Sequence, residues 1–353
     1  MEEQQHKRRV RYKGTHPRSY QEKYKEHNPE KYADTVAKVI AKGSTPAGMH
    51  ISIMVEEILD FLKIQPGQKG LDATLGYGGH TRKMLEQQGD SGLIVGLDVD
   101  PIESEKTEKR LRDAGYSKER FRRELINFAQ IDEVCEKYGK FDFVLADLGV
   151  SSMQIDNPER GFSYKNEGPL DLRLNPKEGI PASQRLCELS KDEVYGMLVE
   201  NSDEPYALEL SKVIYEHSHF GKKIETTSAL KELVETTIEP FLCKNSKEEI
   251  KEIKKKTCQR VFQAIRIDVN SEFEVLDSFL QKLPHIMNPG GRIAILTFHS
   301  GEDRMVKKAL RAGKGTFYQE VSKDVIRPSA QECRENGRAR STKMRWAIRN
   351  EYE

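Results

Sequence analysis

Residues 1–45 are polar and rich in Lys, Tyr and Glu, and only 29–42 is spaced for a short amphipathic helix. The pattern changes at His50. The run ISIMVEEILDFL sets Ile53, Met54, Ile58, Leu59 and Leu62 on one helical face, closed by Pro66-Gly67. Short apolar runs then alternate with helical spacings. Strands are predicted over 69–75, 92–97, more weakly 120–126, and strongly 141–146, with helices over 81–88 and 103–114. Strands separated by helices of this length form parallel βαβ units. The alternation stops near Asp156, and for about a hundred residues no strand pattern appears. Pro and Gly punctuate 157–181, then helical patterns cover 191–200, 206–218, 228–241 and 248–256. A long helix across 261–282, a turn at Asn288-Pro289-Gly290-Gly291 and a strand over 292–297 resume the α/β pattern. The organisation expected is an α/β sheet with an all-helical insertion. An N-terminal extension covers 1–45, the first part of the α/β domain 46–155, the insertion 156–256, and the second part, with a basic C-terminal segment, 257–353.

A length of 353 residues agrees with more than one structural unit. No apolar run approaches the roughly 20 residues that span a bilayer, so no membrane span is expected. The opening MEEQQHKRRVRYKG lacks the apolar segment of a secretory leader. Cys135, Cys187, Cys243, Cys258 and Cys333 are odd in number and dispersed, which suits reduced thiols in the cytoplasm. No histidine has a cysteine at finger spacing, and no metal is expected. Lys+Arg 58 against Asp+Glu 57 leaves a net charge of +1, which by itself speaks against a nucleic-acid partner. The distribution changes that. Residues 6–25 carry eight basic side chains against Glu22, and residues 304–349 carry thirteen against four acids, so the middle of the chain is acidic. Basic ends of this kind are either a footprint for an anionic polymer or a pair of solvated tails.

The most informative stretch is Asp72-Ala73-Thr74-Leu75-Gly76-Tyr77-Gly78-Gly79-His80, between a predicted strand and a predicted helix. That is where an open α/β sheet binds a nucleotide-like ligand, and glycine there lets the backbone approach it. The next strand ends at Asp98, nineteen residues after Gly79 and suitably placed to accept hydrogen bonds from ribose hydroxyls. An ordinary loop aspartate or helix cap is the plainer alternative. G-x-G-G-H lacks the third glycine that a dinucleotide pyrophosphate normally wants, which favours S-adenosylmethionine over NAD. The fourth strand ends in Asp147-Leu148-Gly149-Val150-Ser151-Ser152-Met153-Gln154. Asp147 there could accept a hydrogen bond from an amine under methylation or from adenine, or cap the segment that follows. Thr297-Phe298-His299-Ser300 suggests a Ser–His–Asp hydrolase, but no G-x-S-x-G elbow accompanies it.

In this order, the blocks DATLGYGGH, GLDVDP, DLGVSS, PERGFS, GPLDLRL, RVFQAIRI, PGGR, TFHSGEDR and RARS resemble the bacterial ribosomal small-subunit RNA methyltransferase H (MraW) family. The resemblance runs from about His50 to Arg349. It implies a Rossmann-like class I S-adenosylmethionine-dependent methyltransferase fold with an inserted helical substrate-recognition domain. The implied reaction is methylation of a cytidine N4 in the decoding region of 16S rRNA. Carried over by motif, Gly78, Gly79 and His80 contact the cofactor, Asp98 holds its ribose, Phe128 lines the adenine pocket, and Asp147 and Gln154 complete the set. Asp147 is also the nearest candidate for a catalytic residue, as acceptor for the amine. Phe162 or Tyr164 would stack on the target base or sit in the core. Arg160, Arg173, Arg260 and Arg266 would contact RNA or pair with internal acids. The partner implied is 16S rRNA, naked or in the small subunit, with the oligomeric state open and a homodimer among the alternatives. Several positions depart from the usual pattern. Tyr77 replaces Arg, Met153 replaces Pro, Lys256-Thr257-Cys258-Gln259 replaces His-Pro-Ala-Thr, Gly301 replaces Leu, and the 1–45 extension is added. These mark a divergent subgroup of the kind a second genomic copy forms. The competing classes are a non-catalytic RNA-binding or ribosome-assembly factor that keeps the fold, and an NAD-dependent oxidoreductase.

Overall fold

The computed structural model describes residues 52–352, so the expected 29–42 helix lies outside it. Seven strands form one sheet in the order β3-β2-β1-β4-β5-β7-β6. They are β1 Lys69–Asp72, β2 Leu93–Asp98, β3 Phe121–Leu125, β4 Phe141–Asp147, β5 Met287–Thr297, β6 Tyr318–Val321 and β7 Lys343–Arg349. The first five are mutually parallel, and β7 runs antiparallel between β5 and β6. This is the α/β sheet expected from the alternation, and the Rossmann-like fold that the resemblance implies.

The sheet is apolar on both faces, as period-two side chains in a covered sheet must be. Along β4, Val144 and Ala146 face one core with Ile293 and Ile295 of β5. Phe143 and Leu145 face the other with Ala294 and Leu296. Helices α1 (Val55–Leu62), α2 (Gly79–Gln88) and α3 (Pro101–Asp113) bury Ile58, Leu62, Met84, Leu85 and Leu111 on the second face. Helix α4 (Ile131–Tyr138) covers the first face, with other helices from the C-terminal part. From β1 the chain builds β2 and β3 on one side, then crosses back to β4 and β5. The switch point therefore lies between the C-terminal ends of β1 and β4, where such sheets leave a crevice.

Helix α5 (Ser152–Asp156) follows β4, and no further strand occurs among the described residues until β5. Five helices fill the interval: α6 (Ala182–Glu188), α7 (Lys191–Ser202), α8 (Ala207–Phe220), α9 (Thr227–Ile238) and α10 (Lys247–Val269). They enclose a core of their own, including Leu186, Leu198, Leu210, Val234, Val261 and Phe262. Helix α10 starts in a Ser246/Glu249 capping box and continues unbroken through residue 256, with Cys258, Val261, Phe262, Ala264 and Ile265 all in this core.

Three features differ from the expected pattern. The helix expected over 261–282 is two, because α10 ends at Val269 and α11 (Glu272–Lys282) begins after Ser271 at φ +48°. Asn270 explains the break. Its side chain donates to the carbonyls of Leu172 and Arg266 and accepts from the N–H of Leu174, which ties the junction to a loop almost a hundred residues earlier. The NPGG turn is absorbed into β5 as a register shift against β4. Strands β6 and β7 were not expected, since the charges of 304–349 obscure their apolar positions. Arg345 of β7 is buried against Asp303 of α12 (Ser300–Gly313) at 2.7 Å.

Candidate functional site

Strand β1 stops at Asp72, and the chain turns over the sheet edge. Ala73 donates to Leu145 and Leu75 to Leu97, so the turn is clamped to β4 and β2 at once. Gly78 caps α2 at φ +80°, and a Cβ there would approach Thr107 Cγ2 to 2.6 Å. Only glycine allows both the left-handed backbone and the contact with α3. Gly79 is the first residue of the helix. Tyr77, one of the departures, lies under the Arg110 guanidinium at 3.8 Å.

Asp98, at the end of β2, faces this turn. One carboxylate oxygen accepts from the Gly76 N–H at 2.8 Å and the other from the Asp100 N–H at 2.8 Å. Burial and the neighbouring Asp100 and Asp72 push its pKa up to about 6, against the pull of the two backbone donors. The Asp98 carbonyl pairs with Ile126, bringing the strand β3 exit alongside. Phe128 follows on a short turn, edge-on to Phe279 at 5.2 Å.

Asp100 was missed by the motif argument, yet it ties the site together. It is fully buried, caps α3, accepts from Gln154 Nε2 at 3.2 Å and pairs with Arg160 at 2.7 Å. Gln154 is thereby positioned beside the loop, and its amide oxygen closes a capping box with Ser151. Arg160 also donates to the carbonyls of Arg173 and Leu174. No local spacing could reveal a pair sixty positions apart. Asp72, the first residue of the DATLGYGGH block, is a second such residue. It is buried, accepts from Thr81 Oγ1 at 2.6 Å and from the Thr74 N–H at 3.1 Å, and burial raises its pKa.

Asp147 closes the constellation from β4. Its backbone N–H donates to Thr74 Oγ1 at 2.6 Å, so β1 and β4 hold it jointly. Its Oδ2 lies 3.6 Å from His80 Nδ1, and its Oδ1 is buried with no hydrogen-bond partner. Burial pushes the carboxyl up to about 6; a charged His80 would lower it, while Asp72 and Glu302 raise it further. A buried carboxylate oxygen without a donor is costly, and such costs collect where a ligand or proton is to be received. The structure thus brings Gly78, Gly79, His80, Asp98, Asp147 and Gln154 to one sheet edge, with Phe128 at the exit of the neighbouring strand.

The proposed base-stacking and RNA-contact residues fare differently. Phe162 is buried in the helical core, and Tyr164 packs edge-on to Phe262 at 5.8 Å. All four arginines are paired internally: Arg160 with Asp100, Arg173 with Asp171, Arg260 with Glu204 and Arg266 with Glu272, each at 2.7 Å. Of the C-terminal cations, Arg338 pairs with Asp156, and Lys343 and Arg345 with Asp303. Gly301 lies against the Phe273 ring, and a Cβ there would meet Phe273 Cζ at 2.7 Å, so the family's leucine would require that ring to shift. His299 caps α12 and meets Glu302 at 3.0 Å rather than activating Ser300. Glu272, His299 and Glu302 are close enough to share an ion, but Arg266 already holds Glu272 through both its oxygens.

A model of the MraW methylase family matches residues 47–350. The chain is similar to "Ribosomal RNA small subunit methyltransferase H 1" of Agathobacter rectalis, 63% identical over 99% of each chain. "Ribosomal RNA small subunit methyltransferase H 2" of Alkaliphilus metalliredigens is 56% identical over 98% of this chain and 99% of its own. "Ribosomal RNA small subunit methyltransferase H" of Thioalkalivibrio sulfidiphilus is 37% identical, covering 86% of this chain and 98% of its own. The two numbered relatives thus cover nearly all of this chain, and the unnumbered one leaves about a seventh of it unmatched.

Proposed function

The chain belongs to the MraW methylase family, and we propose that it transfers a methyl group from S-adenosylmethionine to the exocyclic N4 of a cytidine in the decoding region of 16S rRNA. The observation that carries this reading is the joint placement of Asp98 and Asp147 at the switch point, one facing a glycine turn and the other holding a buried oxygen without a donor. The residues present fit the cofactor. The main chain of Gly78 and Gly79 gives close approach, Asp98 suits a ribose, Phe128 an adenine, and Gln154 borders the same turn. When bound, S-adenosylmethionine supplies an electrophilic methyl group.

Cytosine N4 is a weak nucleophile because its lone pair is delocalised into the ring. An ionised Asp147 accepting its N–H localises that pair. With its pKa at about 6, Asp147 is largely ionised at neutral pH yet basic enough to take a proton. Holding amine and methyl in line contributes several kcal/mol more, on the scale known for pre-oriented reactants. A cytidine of 16S rRNA as the substrate suits a protein of the cytoplasm. No helix among the described residues is long and apolar enough to cross a membrane. A non-catalytic assembly factor would have no use for an unpaired buried carboxylate oxygen at the switch point.

Mass spectrometry of 16S rRNA nucleosides from strains with and without the protein tests the reading. Loss of N4-methylated cytidine on deletion is expected, and an unchanged level would remove the assignment. Calorimetry with S-adenosylmethionine and NAD separates the cofactors, with binding of the first alone expected.

A further inference from the structure

His80 has both ring nitrogens turned towards polar atoms of the protein. Nε2 lies 2.9 Å from the carbonyl oxygen of Ile53, and Nδ1 lies 3.6 Å from Asp147 Oδ2. A carbonyl can only accept, so Nε2 carries a hydrogen. In the neutral ring Nδ1 is then a bare lone pair facing a carboxylate oxygen. Two acceptors set face to face repel unless a proton lies between them, so the pair is suited to receive one. The ring is 9% exposed and cannot turn away to water, because α2 and the Ile53 carbonyl hold it.

We propose that His80 is a positioning residue for the methyl transfer, holding with Asp147 the proton released from the cytidine N4. This rests on the reaction proposed above. As the N4 lone pair forms the N–C bond, the C–S bond breaks and its electron pair stays on sulfur. The N4 proton passes to the Asp147 carboxylate, is shared with His80 Nδ1, and leaves to water before the next turnover. The groups around the pair favour this. Asp72 is buried beside His80 and bonded to Thr81 and Thr74, while Glu302 approaches Asp147 from α12, itself tied to His299 and the Phe298 N–H. With Asp72 and Glu302 nearby, an extra proton on the pair reduces local negative charge rather than adding positive charge.

The first test needs neither substrate nor a variant. Long-range proton–nitrogen NMR of the full chain at mildly alkaline pH should find His80 with its hydrogen on Nε2 and a bare Nδ1. A hydrogen on Nδ1 would overturn the proposal. The second uses His80→Gln on 16S rRNA. Turnover should fall roughly 10- to 100-fold, as for other residues that orient a reacting group, with the cofactor Kd by calorimetry moving less than about threefold. The acidic limb of the turnover–pH profile should shift as well, and it should be absent in Asp147→Asn. Unchanged turnover, or a Kd that weakens in step with turnover, would overturn it. If His80→Gln does not fold, the NMR result decides alone. If the parent protein shows no turnover on 16S rRNA, the reaction assignment fails while the tautomer result stands.

Discussion

The sheet edge and the helical insertion both bury charge, and they treat it in opposite ways. In the insertion and at its junction with the sheet, Arg185 meets Asp268, Arg260 meets Glu204 and Arg266 meets Glu272, each within 2.8 Å. Every one of these carboxylates has a cation, so their charge is spent on holding helices together. At the sheet edge Asp72, Asp98 and Asp147 crowd together, no arginine or lysine among the described residues pairs with them, and all three are pushed upward by burial. Asp100 is the boundary between the two regimes, since Arg160 neutralises it while Gln154 and the α3 cap use its remaining lone pairs. The difference separates charge committed to folding from charge kept for a ligand and a proton.

Four changes break or sharpen that contrast. Asp147→Asn should lower turnover by about 10²- to 10⁴-fold, the range for losing a general base, while leaving cofactor affinity within a few-fold. Single-turnover kinetics with calorimetry checks it, and equal losses in both would reduce Asp147 to a binding residue. Arg266→Ala removes a spent charge and strands Glu272. A cost of about 3–5 kcal/mol in unfolding free energy by urea denaturation is expected. Gly78→Ala forces a left-handed alanine onto Thr107 and should cost about 1–2 kcal/mol, with a weaker cofactor Kd because the turn must move. Arg304→Ala should leave stability within about 0.5 kcal/mol of the parent, because its contact with Asp203 is 3.8 Å long and both side chains are mostly exposed.

The parts of this contrast differed in how plainly the sequence showed them. The strands of the parallel core were visible as short apolar runs, and the glycine turn and Asp98 followed from their place after two of those strands. Those features depend on local order along the chain. The hub at Asp100 depends on Arg160, and the break before α11 depends on Asn270 reaching Leu172 and Leu174. Contacts over such separations leave no periodicity. Strand β7 was hidden for another reason. Its cations read as a face for an anionic polymer, yet Lys343 and Arg345 turn inward to Asp303. Charge counts showed where the cations lay along the chain but not which of them the fold had consumed.

The most direct test is the pH dependence of unfolding, compared between the parent and Asp147→Asn. A carboxyl whose folded pKa stands at about 6, above its usual 3.8, holds its proton more tightly when folded. Its contribution is therefore favourable below about pH 4 and is lost as pH rises through about 6. The full span is worth about 3 kcal/mol, and the 22% of the side chain that meets solvent trims this to roughly 1–2 kcal/mol. Above pH 6 Asp147→Asn should therefore be more stable than the parent by that amount, while turning over far more slowly, and the gap should close towards pH 4. If the variant were less stable than the parent at neutral pH, Asp147 would belong with the spent charges, and the division of the molecule into two kinds of buried charge would be wrong.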